Sequence, residues 1–208
     1  MTTELTLDSL CRALQASRGA LDGAPDPRLR CRLETGRRLP AALAWGRHGT
    51  PFGPVLAAAT SGDLCWLAFI KDGDADALRR LARAWPGATL TEQPAATADA
   101  VALAFHPGHR LAAPLPVLLA GTPFQLAVWQ ALLRIPAGAL VSYGDLAAAV
   151  GRPRAVRAAG SAVGANPVSV LVPCHRVIAK AGDPFKYGGG PERKRALLTW
   201  ELIAAGSA

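Results

Sequence analysis

Ser142–Gly160 reads SYGDLAAAVGRPRAVRAAG, and its punctuation decides the fold of the second half of the chain. Ser142 can cap a short helix over Tyr143–Val150, because a serine oxygen accepts one of the backbone N–H groups that a helix start leaves unpaired. Gly151 can end that helix by taking a left-handed conformation. Pro153 is pre-set for a first helical turn, so a second helix is expected over about Arg154–Val163, carrying Arg154 and Arg157. Two short helices across a Gly-Arg-Pro turn have the outline of a helix-turn-helix. The same spacing also fits an ordinary helical hairpin. Upstream, Thr122-Pro123-Phe124-Gln125 places a capping Thr, a Pro at the first helical position and a Gln that completes a capping box. That helix is expected to run to about Arg134, with Phe124, Val128, Ala131 and Ile135 on one face and Trp129 as core filler.

Downstream, Asn166-Pro167 breaks the second helix. Val168–Val172 is a short β-branched run that delivers Pro173-Cys174-His175-Arg176-Val177-Ile178. A thiol is a nucleophile only as thiolate, and an imidazole, an Arg or a helix N-terminus can favour that form. A carboxylate is then wanted to hold the imidazole tautomer. Glu201, on an expected terminal helix Pro191–Ala205, is the candidate. On these residues alone, Cys174 reads either as a buried structural thiol or as a catalytic one.

Toward the N-terminus the pattern is that of a small sheet. Val55–Thr60 and Leu64–Ile70 are apolar runs joined by Ser61-Gly62-Asp63, which reads as a β-hairpin. Ala75–Ala84 has helical spacing, Thr89–Thr91 can be a strand and Ala95–Phe105 a helix. Ala113–Pro116 reads as a Pro-rich linker. The expected fold class is α+β: a small N-terminal domain of sheet and helices at 46–116, then a mostly helical domain with the helix-turn-helix at 117–208. Residues 1–45 read as an extension of unknown role, with one amphipathic stretch at Leu7–Leu14 and a punctuated link at Ala24–Pro27.

The 208 residues are 50% hydrophobic, ample for one core or two small ones. No apolar run approaches a bilayer span, and MTTELTLDSL does not resemble a secretory signal, so a cytoplasmic protein without membrane contact is expected. Cys11, Cys31, Cys65 and Cys174 lie far apart with no CxxC pair, a poor pattern for zinc or a disulfide framework, and they read as reduced thiols. The formal charge of +8 is uneven: residues 121–208 hold 10 Lys+Arg against 4 Asp+Glu, whereas 1–120 hold 13 against 11. A short basic segment suits a polyanion, because each phosphate contact releases condensed counterions. It equally suits a solubilising surface.

LVPCHRVI, preceded by GTPFQLAVWQALLRIPAG, SYGDLAAAVGRPRAVRAAG and ANP, resembles the O6-alkylguanine-DNA alkyltransferase family over about Gly121–Glu201. Several separate motifs occur in the expected order and spacing. The likeness over Thr50–Phe105 is looser, resting on PFGPVLAAAT and the hairpin after it, and residues 1–45 are not covered. The pattern is also similar to alkyltransferase domains fused to bacterial transcription regulators. With so short a segment in front and no four-cysteine zinc pattern of the adaptive-response kind, a complete regulator domain is not expected.

The resemblance implies a DNA repair protein that flips O6-alkylguanine, O6-methylguanine foremost and O4-methylthymine as a further substrate, out of double-stranded DNA. It implies irreversible transfer of the alkyl group to Cys174, once per molecule, by a monomer that uses no metal or organic cofactor. His175 would be the base acting through a water and Glu201 the carboxylate that polarises it. Asn166 matches the residue tying the turn after the recognition helix to the active-site segment. Arg157 matches the arginine that fills the gap left by the flipped nucleotide, with Arg154, Ala158 and Ser161 beside it on the DNA-facing surface. Tyr143 matches the tyrosine that crowds the target phosphate, and its phenol suits protonation of the leaving guanine. Lys194 matches a lysine on the leaving-group side. Val163 and Val177 would line the pocket with Tyr187 and Gly188, whose backbone N–H can reach the guanine oxygen. The loop departs from the family: Phe185-Lys186-Tyr187-Gly188 lacks the Gly before the tyrosine and the Ser, Arg or His after it. The rival readings are an alkylation lesion sensor, which would lack the reactive cysteine, an alkylation-responsive regulator, and a thiol hydrolase using Cys174 and His175.

Overall fold

The computed structural model describes residues 7–35, 40–106, 108–180 and 187–206. In chain order these form α1 (Leu7–Ala16), β1 (Leu29–Glu34), β2 (Ala42–His48), β3 (Val55–Ala59), β4 (Leu64–Phe69), α2 (Asp74–Ala84), β5 (Thr89–Glu92), α3 (Ala98–Phe105) and β6 (Leu115–Ala120). There follow α4 (Pro123–Leu132), β7 (Val141–Ser142), α5 (Tyr143–Ala149), α6 (Val156–Gly164), β8 (Val177–Ile178) and α7 (Pro191–Gly206). Short 3-10 turns occupy Pro94–Thr97 and Cys174–Arg176. The chain forms two units, and the fold is α+β.

The sheet unit comprises Pro27–Pro123 together with Pro167–Leu171. Its six strands lie in the order β1-β6-β4-β3-β2-β5. β3 is buried along its whole length, which is why VLAAA carries no polar residue: a central strand covered on both faces reads as an apolar run rather than an alternation. The expected hairpin is present, with β3 and β4 antiparallel and a register shift at Ala58/Ala59. Its turn is closed by Thr60, whose N–H donates to the Asp63 carbonyl at 2.9 Å and whose Oγ1 accepts the Asp63 N–H at 2.9 Å. Gly46 on β2 is required by a close approach, since a Cβ there would stand 2.5 Å from the Pro94 Cα. Leu43, Leu56, Cys65, Leu81, Trp85 and Leu118 form one apolar cluster of this unit.

Three expectations are corrected by the fold. Part of residues 1–45, read as an extension of unknown role, is built into the sheet: β1 pairs in parallel with β6, and β2 pairs with β3 and β5. The Pro-rich stretch at Ala113–Pro116 runs into β6, whose Val117, Leu118 and Leu119 are fully buried. Its prolines disguised it, although Pro116 sits near the strand start, where a missing N–H is tolerated. The helix expected from Ala95 begins as a 3-10 turn at Pro94 and becomes α-helical only at Ala98.

The helical unit draws on Met1–Asp26, Phe124–Asn166 and Val172–Ala208. The expected division at 116/117 therefore differs from the observed one, in which the N-terminal segment lies with the helices. Within this unit Trp129 is 2% exposed, and its Nε1–H donates to the Ala162 carbonyl at 2.9 Å, so core filling also ties α4 to the end of α6. β7 and β8 form a two-stranded parallel sheet pairing Val141 with Val177 and Ser142 with Ile178. No helix among the described residues is long and apolar enough to cross a membrane.

Candidate active site

The helix pair begins from a reciprocal cap. Ser142 Oγ accepts the Asp145 N–H at 3.1 Å, and the Ser142 N–H donates to Asp145 Oδ2 at 3.1 Å. This satisfies two donors that the start of α5 would otherwise leave unpaired. Gly151 has φ +71°, the left-handed geometry expected of it. The second helix starts later than the sequence suggests: Arg152–Ala155 close a turn by an Ala155 N–H bond to the Arg152 carbonyl at 2.8 Å, and α6 begins at Val156. Arg154 thus lies in the turn, not on the helix. Arg157, Ala158 and Ser161 are exposed on α6, while Ala159, Ala162 and Val163 face the core.

Asn166 straps the chain after α6, its Nδ2 donating to the Val172 carbonyl at 2.8 Å. Pro173, at φ −82° and ψ 63°, then turns the backbone so that the Cys174 N–H bonds the Val172 carbonyl at 2.8 Å, an inverse γ-turn. The next residues form the 3-10 turn Cys174–Arg176 and enter β8. Because β8 pairs with β7, the turn bearing Cys174 is registered against the residue that caps α5. Tyr143 is half-buried, and its phenol is shifted upward by burial and by the nearby charge of Cys174. Its ring lies 3.8 Å from a Cβ position on Gly160.

Behind Cys174, which is 6% exposed, His175 is wholly buried and its Nε2 lies 2.9 Å from Glu201 Oε1. Burial lowers the His175 pKa, with Glu201 opposing. Burial alone would raise the Glu201 carboxyl, but His175 and the Arg176 guanidinium hold it well below the usual carboxylate range. An ionised carboxylate can only accept, so the ring proton sits on Nε2. Nδ1, buried and without a hydrogen bond among the described residues, is left as the basic nitrogen of the neutral ring. Arg176 was not singled out by sequence reasoning. Its Nε reaches Glu201 Oε2 at 2.9 Å, its Nη2 reaches Oε1 at 2.6 Å, and its Nη1 donates to the Ile135 carbonyl. The available signal was its position directly after the Cys-His pair.

Of the other residues singled out, Lys194 is 1% exposed and its Nζ donates to the Val177 carbonyl, so it does not lie on a solvated helix face. Val163 and Val177 are buried, Tyr187 is half-buried and Gly188 is exposed. Phe185 and Lys186 lie outside the described residues. The other buried cysteine, Cys65, donates to the Ala58 carbonyl at 3.4 Å, and burial pushes its thiol up to about 12. No group of three or more potential metal-ligating side chains occurs among the described residues.

The family described as 6-O-methylguanine DNA methyltransferase, DNA binding domain, matches residues 123–203. A methylated-DNA–protein-cysteine methyltransferase of Salmonella typhimurium is 58% identical over 81 residues, 39% of this chain and 47% of that protein. The inducible methylated-DNA–protein-cysteine methyltransferase of Bacillus subtilis is 55% identical over 91 residues, 44% of this chain and 51% of that protein. The matched stretch thus spans about half the length of these curated relatives. Among solved structures, Mycobacterium tuberculosis OGT in complex with DNA aligns with TM-score 0.61 and 34% identity, covering 77% of this chain and 93% of that one. The O6-methylguanine-DNA methyltransferase of Pyrococcus kodakaraensis aligns with TM-score 0.55 and 25% identity, covering 76% of this chain and 98% of that one.

Proposed function

This chain belongs to the 6-O-methylguanine DNA methyltransferase family, and from that premise we propose that it repairs DNA by moving the alkyl group of O6-alkylguanine onto Cys174. The observation that carries the reading is the buried His175–Glu201 pair immediately behind Cys174, with the Tyr143 phenol near enough to respond to the charge of Cys174.

A stacked guanine hides its O6 substituent, so the base must leave the helix, at a cost of roughly a few kcal/mol in lost stacking. Arg157, exposed on α6, fills the gap, and Arg154 and Ser161 hold the backbone beside it. Ala158 lets the helix approach closely. Tyr143 crowds the target phosphate. In the reaction the Cys174 thiol gives its proton, through a water, to His175 Nδ1, and Glu201 stabilises the imidazolium that forms. The thiolate attacks the alkyl carbon; the S–C bond forms as the C–O6 bond breaks. The electron pair stays on the guanine, which takes a proton from Tyr143. An upward-shifted phenol suits that role, because it stays protonated until the leaving group needs it. Lys194 and Asn166 keep the Val177 and Val172 carbonyls in place on either side of the reactive turn. Val163, Val177, Tyr187 and the Gly188 N–H form the base pocket. The thioether product has no ordinary reversal, so each molecule acts once. We place the protein in the cytoplasm, as a monomer that needs no cofactor.

The test is intact-protein and peptide mass spectrometry after mixing with duplex DNA containing O6-methylguanine. A single methyl increment on the Cys174 peptide, equimolar with DNA repaired, is expected. Multiple turnover would point to a hydrolase instead, tight binding without any increment to a lesion sensor, and a methyl on Cys65 would refute the mechanism.

A further inference from the structure

The N-terminal amphipathic stretch has no part in the reaction described above, yet α1 lies within the helical unit. Leu10, 2% exposed, packs in one cluster with Leu140, Ile178 and Leu198, flanked by Ala13 and Leu14. These three partners are not scattered. Leu140 immediately precedes β7 and the cap of α5, which starts at Tyr143. Ile178 ends β8, two residues after the Cys174–Arg176 turn. Leu198 lies three residues before Glu201 on α7, on the same helical face.

Polar contacts fix the segment as it leaves α1. Ser17 Oγ donates to the Ala13 carbonyl at 2.7 Å and accepts the Leu140 N–H at 2.9 Å. Farther on, the Asp26 N–H bonds the Leu133 carbonyl at 3.1 Å. α1 therefore shares a cluster with the residue that precedes β7, with the strand that follows the Cys174–Arg176 turn and with the helix that carries Glu201, and it lies outside the family match at 123–203.

We infer that α1 is a built-in brace of the alkyl-transfer centre and that Leu10 is a positioning residue, acting through Ile178 and Leu198 to hold His175 against Glu201. The inference rests on the alkyl-transfer reading for its consequence in repair, but its geometry stands apart from it. The 2.9 Å contact between His175 and Glu201 joins two elements, β8 with its preceding turn and α7, that are far apart in sequence. Leu10 packs in one cluster with Ile178 of the first and Leu198 of the second, and that packing limits their sliding. Removing it lets the pair separate, which makes His175 a weaker base and leaves Cys174 un-ionised to higher pH.

The experiment compares wild type with Leu10→Ala, the milder Leu10→Val, and Leu10→Met, which nearly conserves volume. Two readouts are taken on the 208-residue chain under conditions where circular dichroism shows each variant folded. One is the pH profile of Cys174 alkylation by iodoacetamide, followed by peptide mass spectrometry. The other is the single-turnover rate of methyl transfer from O6-methylguanine DNA at saturating DNA. The midpoint of the iodoacetamide profile should move to higher pH in Leu10→Ala, less in Leu10→Val, and return in Leu10→Met. The transfer rate at neutral pH should fall about tenfold in Leu10→Ala, with the affinity for undamaged duplex unchanged. A variant that is merely less stable would lose amplitude without moving the midpoint, and an unmoved midpoint in Leu10→Ala overturns the inference. Iodoacetamide needs no DNA, so a shifted midpoint in a protein that transfers no methyl would retain the brace and reject the repair reading.

Discussion

At the scale of single residues, the buried trio of His175, Arg176 and Glu201 sets how the protein responds to acid. The His175 pKa is lowered in the fold, so the unfolded chain takes up a proton first as pH falls. The neutral ring's contribution to stability is fully present above the unfolded value near 6.5 and is lost as pH falls from there toward the lower folded value. Glu201 is depressed as well, and its contribution persists until pH drops below its ordinary 4.5. The urea midpoint should therefore fall between pH 7 and pH 5 through His175, with the half-buried and likewise lowered His48 adding to it, before Glu201 matters. His175→Gln should flatten that interval, and an equally steep decline in the variant would show that another group is responsible. The sequence allowed this pair to be named because the Cys-His dipeptide and a helical Glu are chemically conspicuous. Arg176 escaped notice because a guanidinium is expected at the surface unless its partner is known. The burial of Lys194 is hidden from the sequence for the same reason, since it depends on the distant Val177 carbonyl.

At the scale of elements, what was legible was what is local. The cap at Ser142, the left-handed Gly151 and the Pro-induced break each act within four residues, so the pair of short helices could be drawn from sequence alone, short of the true start of α6 at Val156. β1 and β6 could not be. Leu29 pairs with Leu115 across more than eighty residues, and neither strand has a turn beside it to announce the pairing. The α5 start offers a direct check on the local argument. Ser142→Ala removes the hydroxyl that caps α5 in a site only 4% exposed, and should lower stability by about 1 kcal/mol in urea unfolding. Ser142→Thr should recover most of it. A loss well under half a kcal/mol would mean that Asp145 alone holds the helix start.

At the scale of the whole chain, some arginines are engaged in ion pairs and others are not. In the sheet unit Arg32 pairs with Asp63 and Glu34, Arg47 with Asp74 and Arg79 with Asp76. Arg152, Arg154 and Arg157 are exposed and have no ion pair among the described residues. The binding constant for undamaged duplex should therefore fall steeply as salt rises. Replacing Arg152 and Arg154 by Gln should lower the log–log slope by about two, one unit for each phosphate no longer neutralised. The double variant Arg47→Gln, Arg79→Gln should leave the slope unchanged, and equal effects from the two pairs would mean that net charge, not the turn before α6, governs binding. The sheet unit also claims a piece of the chain from beyond α6: Leu67 donates to the Pro167 carbonyl at 2.9 Å and accepts the Ser169 N–H at 2.8 Å. A recombinant fragment trimmed to residues 123–203 would leave Pro167–Leu171 without their strand neighbour. Such a fragment would also discard α1, so the bounds of the family match are not those of an autonomous folding module.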